Sequence, residues 1–453
     1  MKITTFNEDL LNLQPLATRL EKFISVEHQF VEGSLVIALG SKFGSGKTTF
    51  LDMWKADLDR RKEDDNTPLV VSLNAWESDY YGDPLFAIIS GLIDCLNQNG
   101  QSAKSISDAA KDIGWFATAI GGQIVQKFTG IDPVAAGELA EKKKSHGDGA
   151  ALVPKDTFSA FQGRKAAMKN LKAAIKKFVA SSKPSVLFLV DELDRCRPDY
   201  AISYLETIKH IFDVQGVVFI LAADRRHLEN SAKTAFGRDL DFEEYYRKFV
   251  HREVSLPPIS DSDYMKLATK YVNYYLQRDG LRNCCMNLET HRVKNISELV
   301  GALRMTPRQI QEVFRILGHI SETSEKNKGC LGWCLTVGLI AMAAFKTGYP
   351  KIYHQLGCQT LEPNDALHLL TDLLGDRNTH IGWWFTIFLT GGGLKMVEGK
   401  SLNEVMVDVG ITKEGEESRF DNNYYQWEEG WGYITGCHFE DIYKKIEHII
   451  QWA

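Results

Sequence analysis

Residues Ser34 to Phe50, SLVIALGSKFGSGKTTF, constrain what this chain can fold into more than any other stretch. The apolar run Leu35 to Leu39 reads as a buried strand. It breaks into a glycine-rich turn from Gly40 to Gly46, followed by Lys47-Thr48-Thr49 and the helix-compatible FLDMWKADLDRR. Glycines let the backbone curl so that several N–H groups converge on one anion. The next helix adds its positive N-terminal end, Lys47 a mobile cation and Thr48 a hydroxyl for Mg²⁺. The segment that would cradle a nucleotide is Lys42, Phe43, Gly44, Ser45, Gly46, Lys47, Thr48 and Thr49. The match to the Walker A pattern is imperfect, because Ser41 stands where the pattern asks for glycine and Gly40 comes one place early. The rival reading, a strand–helix turn that binds nothing, is opposed by the GKT core in its proper setting.

Four further runs carry the strand pattern: PLVVSL from Pro68, SVLFLV from Ser185, GVVFILA from Gly216, and Glu253 to Leu256. They alternate with helical stretches and the long ones are apolar on both faces, which predicts an α/β fold with a parallel sheet covered on both sides. Residues 96–160 lack strand signals and read as a helical insertion. Beyond Ser260 the periodicity is helical. The expected organisation is therefore a nucleotide domain over residues 1–259, with the insertion at about 96–160, and an α-helical domain over 260–453.

At 453 residues the chain has room for two or three cores. A net charge of −6 argues against a surface dominated by nucleic-acid binding and leaves room for a local basic patch. The eight cysteines include the adjacent Cys284 and Cys285 and the pair Cys330 and Cys334, with no CxxC and no zinc-site spacing. Reduced thiols and an N-terminus without a signal-like apolar core point to the cytoplasm. Residues 330–345 are about the shortest run able to span a bilayer, and 380–389 are too few. Buried bundle helices account for both more simply than membrane spans.

The strand at 185–190 ends in Asp191-Glu192. The first acid is placed to support Mg²⁺, the second to activate the attacking water. Here a resemblance enters. DELDRCRPD (191–199) looks like the extended Walker B signature of the KAP family of P-loop NTPases. Asn74-Ala75-Trp76 followed by DPL (83–85), FILAADRRHL (219–228) and LRMTPRQIQEVFRIL (303–317) are similar to other elements of that family. The resemblance implies a P-loop core of the ASCE type and a Mg²⁺-dependent NTPase. It also implies self-assembly into a homo-oligomer and, by analogy with soluble bacterial members, a role in anti-phage defence with a separate effector protein.

On this reading Lys47 contacts the β/γ-phosphates, Thr48 and Asp191 hold the metal, and Glu192 is the base. Asp224 either orients the water or caps the helix after it. Arg195 either pairs with Asp194 or reaches the nucleotide of a neighbouring subunit. Arg225, Arg226 and Arg247 are other finger candidates, each with a surface ion pair as the plainer account. Arg308, beside Pro307 at a helix start, is a sensor-like γ-phosphate contact by resemblance, or else a solvated residue. Trp76 reads first as a core or packing aromatic, and otherwise as a wall near the adenine or the catalytic acids. The aromatic tail (422–439) reads as a packed cap or an interaction surface, and Cys437-His438 alone makes no metal site. ATP is favoured because no guanine-reading [NT]KxD element occurs in a suitable loop. The rival functions are a slow or non-hydrolysing switch or scaffold, a nucleic-acid motor, and a membrane scaffold.

Overall fold

The computed structural model describes residues 3–9, 11–41, 45–64, 66–120, 157–181, 185–277, 290–323, 332–375, 381–414, 424–432 and 437–451. The chain divides into two compact units, Lys2–Pro258 and Ile259–Ala453.

The apolar runs of the first unit form one parallel sheet in the order β2-β3-β4-β1-β5. The strands are β1 Leu35–Gly40, β2 Leu69–Asn74, β3 Val186–Asp191, β4 Val217–Ala223 and β5 Arg252–Val254. All seven residues of β4, and all but the last residue of β1 and β3, are buried, as parallel strands covered on both faces must be. Phe188 of β3 stacks on Phe219 of β4 with ring centroids 4.5 Å apart, and Phe212 meets both edge-on. β5 is shorter than the expected 253–256. The N–H of Leu256 leaves the ladder and donates to Ser41 Oγ at 3.1 Å.

The helices of this unit are α1 Gln14–Glu27, α2 Lys47–Arg60, α3 Ala75–Asp79, α4 Pro84–Gln98, α5 Lys104–Ile120, α6 Thr157–Ser181, α7 Pro198–Ile211, α8 Arg225–Phe236 and α9 Phe242–Tyr246. Their starts follow local chemistry. Proline opens α4 and α7, where its missing N–H costs nothing, and Asn74, Asp83, Asp224 and Asp241 accept free N–H groups at the starts of α3, α4, α8 and α9. The flanks of the expected insertion, α5 and the start of α6, are helical. Its centre, 121–156, lies outside the described residues, as do Cys284, Cys285 and Cys330. The described cysteines Cys95, Cys196, Cys334, Cys358 and Cys437 are free thiols.

Two histidines act as backbone acceptors at the end of the sheet opposite the phosphate loop. His251 Nδ1 accepts the N–H of Val36, and His28 Nε2 accepts that of Gly216, each at 3.0 Å. Burial holds both rings below the ordinary histidine value of 6.5, and Lys209 pushes His251 the same way. Protons therefore bind the unfolded chain more readily than the folded one. The contribution is complete above the unfolded value and is lost as pH falls below it towards the depressed folded value. The melting temperature should drop on acidification through that window. Part of the drop should be missing in His251→Asn, whose amide oxygen accepts a hydrogen bond without titrating. Parallel wild-type and mutant curves would remove His251 from the account.

The second unit is helical: α10 Asp261–Leu276, α11 Thr290–Ala302, α12 Pro307–Thr323, α13 Trp333–Gly348, α14 Pro350–Gly357, α15 Pro363–Leu374, α16 Ile381–Thr390, α17 Leu402–Asp408, α18 Tyr424–Trp431 and α19 His438–Gln451. The two runs that raised the membrane question are α13, buried from Thr336 through Phe345, and α16, buried from Trp384 through Leu389. No helix of the described residues is long and apolar enough to cross a membrane. The described part of the aromatic tail packs as a cap. Trp427 lies against Trp333 and Trp383, and buried Trp431 donates to Thr390 Oγ1 at 2.9 Å.

Candidate nucleotide site

The register of the sheet brings the chemistry together. Gly40 pairs with Ala223, and Asn74 with Asp191, so β1, β2, β3 and β4 end side by side. In open parallel sheets, ligands sit outside this edge of strand ends. The residues that follow these strands are Ser41, Ala75, Glu192 and Asp224. β4 lies between β1 and β3, which separates the phosphate loop from the acidic pair by one strand's width.

Of the expected loop, Ser45 to Thr49 are described, while Lys42, Phe43 and Gly44 lie outside the described residues. Gly46 has φ +97, a conformation that L side chains rarely adopt, and it leads directly into α2. At Gly40 a Cβ would lie 2.5 Å from Glu253 Oε1, the far end of a side chain that could swing aside. Ser41 is structural. Its hydroxyl takes the N–H of Leu256, and its carbonyl accepts from Lys47 Nζ at 2.6 Å.

Lys47 is buried and its Nζ lies 3.6 Å from Asp194 Oδ2, a carboxylate only 5% exposed. The same Oδ2 accepts the N–H of Asp224 at 2.8 Å. Asp191 is pushed above the usual carboxylate range by burial. A hydrogen bond with the Thr48 side chain offsets this in part, and the carboxylates of Glu192 and Asp194 add to the rise. Thr48 and Asp191, expected to share a metal, are thus neighbours.

Glu192 sits in the left-handed region at φ 60, unusual for a residue with a side chain. Both of its carboxylate oxygens are engaged. Oε1 pairs with Arg195 at 2.8 Å, and Oε2 accepts from Asn74 Nδ2 at 3.2 Å. Arg195 therefore pairs with Glu192, not with Asp194 as one of its two readings held. Its guanidinium also lies 5.6 Å from the centre of the Trp76 ring. Trp76 is 51% exposed, which corrects its reading as a core aromatic: α3 begins one residue earlier and presents it to solvent.

The Asp224 side chain accepts the N–H of Arg226, so the capping reading describes its observed contact. Arg225 is committed within its own unit to Glu243 and Glu253 and lies over the rings of Phe242 and Tyr246. Arg226 and Arg247 are exposed. Arg308 is an exposed residue in the first turn of α12, in the helical unit. Among the described residues, no group of three or more His, Cys, Asp or Glu is arranged to hold a metal ion.

Sequence reasoning placed Asn74 in the family-like Asn74-Ala75-Trp76 element but gave it no chemical role, although a polar residue ending an apolar edge strand is a visible signal. It also missed Asp79, a buried carboxylate that receives both the backbone N–H and Nε of Arg197 and so fixes the start of α7.

The sequence model of the KAP family P-loop domain matches residues 14–323, more than half of the chain. The chain belongs to the KAP family of P-loop NTPases. That places a nucleotide-binding site of the P-loop type in this KAP protein at family level. No curated protein matches the chain. Among solved structures it is similar to the ORC2 protein of Aeropyrum pernix. The form with ADPNP and ADP gives 13% identity and a TM-score of 0.36, with 98% of this chain and 95% of the other covered. The ADP form gives 12% identity and a TM-score of 0.35, with 97% and 92% covered. At these scores the likeness carries no argument about this KAP protein, whose fold rests on its own sheet.

Proposed function

We propose that this protein is a Mg²⁺-dependent nucleoside triphosphatase that uses ATP and works as a homo-oligomer. One observation carries the proposal: Lys47, Thr48, Asp191, Glu192 and Asp224 gather at one edge of the sheet from three separate strand ends. The buried Ser45 Oγ has no hydrogen-bond partner inside the phosphate loop, a donor that a phosphate oxygen would satisfy. An all-oxygen donor set of Thr48 hydroxyl and Asp191 carboxylate suits a hard divalent cation. Bound there, Mg²⁺ would neutralise charge on the phosphate oxygens.

The chain's own residues then divide the work. Lys47 holds the β/γ-phosphates, Glu192 takes the proton of the attacking water, and Asp224 orients that water at the end of β4. Glu192 must first be released by Arg195 and Asn74, since both of its oxygens are occupied. Once parted from Glu192, Arg195 would face the charge developing on the transferring phosphoryl group.

A second reading, a nucleotide-dependent switch that turns over slowly or not at all, draws on the same engaged carboxylate. Steady-state hydrolysis of ATP and of GTP over a series of protein concentrations, beside size-exclusion chromatography, separates the two. Specific activity that climbs with concentration supports an assembled hydrolase. Tight binding with no turnover at any concentration selects the switch, and absence of binding removes both.

A further inference from the structure

The proposed reaction uses Lys47, Glu192 and Asp224 but gives no part to Asp194, whose side chain is less exposed than that of Glu192. Its carboxylate is 5% exposed and faces the ammonium of Lys47, which is itself 8% exposed, at 3.6 Å. Removing two charges from water is costly, and a buried carboxylate is tolerated where an opposite charge and hydrogen bonds compensate it. Asp194 has both: Lys47 supplies the charge, and the backbone N–H of Asp224 donates to the same oxygen at 2.8 Å. The N–H···O bond is short and well formed. The ion pair is longer than a hydrogen bond, an attraction without a fixed donor geometry. Lys47 makes its own short bond elsewhere, to the carbonyl of Ser41 at 2.6 Å. The ammonium is thus tethered to its own loop and leans on Asp194 for charge.

We propose that Asp194 is a positioning residue that acts through Lys47. It is the internal counter-ion of that lysine, and it competes with the nucleotide phosphates for the same charge. The inference rests on the nucleotide site proposed above. Because the Asp224 N–H is bound to the oxygen that faces Lys47, a shift of the lysine towards a phosphate changes the field at the end of β4. Asp194 so ties the occupancy of the phosphate loop to the strand end that carries Asp224. The contact lowers affinity: a carboxylate kept beside the lysine reduces the positive potential an incoming polyphosphate meets.

Asp194→Asn is the informative substitution, because its side-chain oxygen still accepts the Asp224 N–H while the charge is gone. In the full-length protein, titration with a fluorescent ATP analogue in the presence of Mg²⁺ should show Asp194→Asn binding tighter than wild type, on the order of tenfold. A purely structural role for Asp194 predicts equal or weaker binding, and either result overturns the proposal. A second readout needs no nucleotide: thermal unfolding of wild type, Lys47→Met, Asp194→Asn and the double variant. Each single change strands a buried group, so each should lower the melting temperature, and the double variant should recover part of the sum. Additive losses overturn the counter-ion. Should wild type bind no nucleotide, the functional reading fails on that count alone, and the four melting curves still decide whether Asp194 and Lys47 are a pair.

Discussion

Glu192→Gln should lower the ATP turnover number by about 10²–10³-fold while leaving nucleotide affinity within about threefold. The reasoning is local. Glutamine keeps the volume, and its amide oxygen still accepts from Asn74 Nδ2, now 3.2 Å from Glu192 Oε2. The side chain loses its ability to take a proton from water and its ion pair with Arg195. Single-turnover rates beside equilibrium titration give the comparison directly. A variant with undiminished turnover would show that the proton goes elsewhere and would strip Glu192 of the role of base. A variant that neither binds nor turns over would mean that the left-handed backbone at this position depends on the carboxylate.

Lys47→Met should weaken nucleotide binding by at least about 100-fold and should also destabilise the nucleotide-free protein. The first effect follows from removing a cation placed to meet the phosphates. The second follows from stranding Asp194, and breaking a buried pair from one side costs about 3 kcal/mol. Methionine retains most of the stem volume, so the loss is of charge more than of packing. Titration and a thermal melt without nucleotide read the two effects separately. Retained affinity would contradict the phosphate-loop assignment, and an unchanged melt would contradict the burial of the pair.

The sheet was legible in the sequence because its strands announce themselves. Leu35–Leu39, Ser185–Val190 and Gly216–Ala222 are too short and too apolar to be surface helices, and β1, β3 and β4 fall on them within a residue. The strand–turn–helix that would hold a phosphate was legible for a similar reason: its glycines fall between an apolar run and a helical one. The weak strand at 252–254 was placed less well, because its end is set by a tertiary bond from Leu256 to Ser41 that no local pattern encodes.

The pairing inside the site was not legible. Asp194 and Arg195 are adjacent in DELDRC, and sequence proximity suggested a partnership. The turn after β3 instead carries Leu193–Arg195 through a single 3₁₀ turn. It brings Arg195 back to Glu192 and leaves Asp194 to Lys47. Trp76 failed for the opposite reason. Tryptophan is usually covered, but this one lies in the first turn of α3 and is half exposed.

The strand order has a bearing on how the chain reaches this state. β1 carries the phosphate loop, yet among the described residues its strand neighbours are β4 and β5, near residues 217–223 and 252–254. β2, the next strand in sequence, sits at the far edge beyond β3. A chain emerging from the ribosome therefore exposes Leu35 to Leu39 with no backbone partner until most of the first unit has been made. Closing such long loops is the slow part of folding and the part exposed to aggregation. Nucleotide capture would then report on completion of the sheet, since a chain halted before β4 holds the glycine turn but not the strand that seats it.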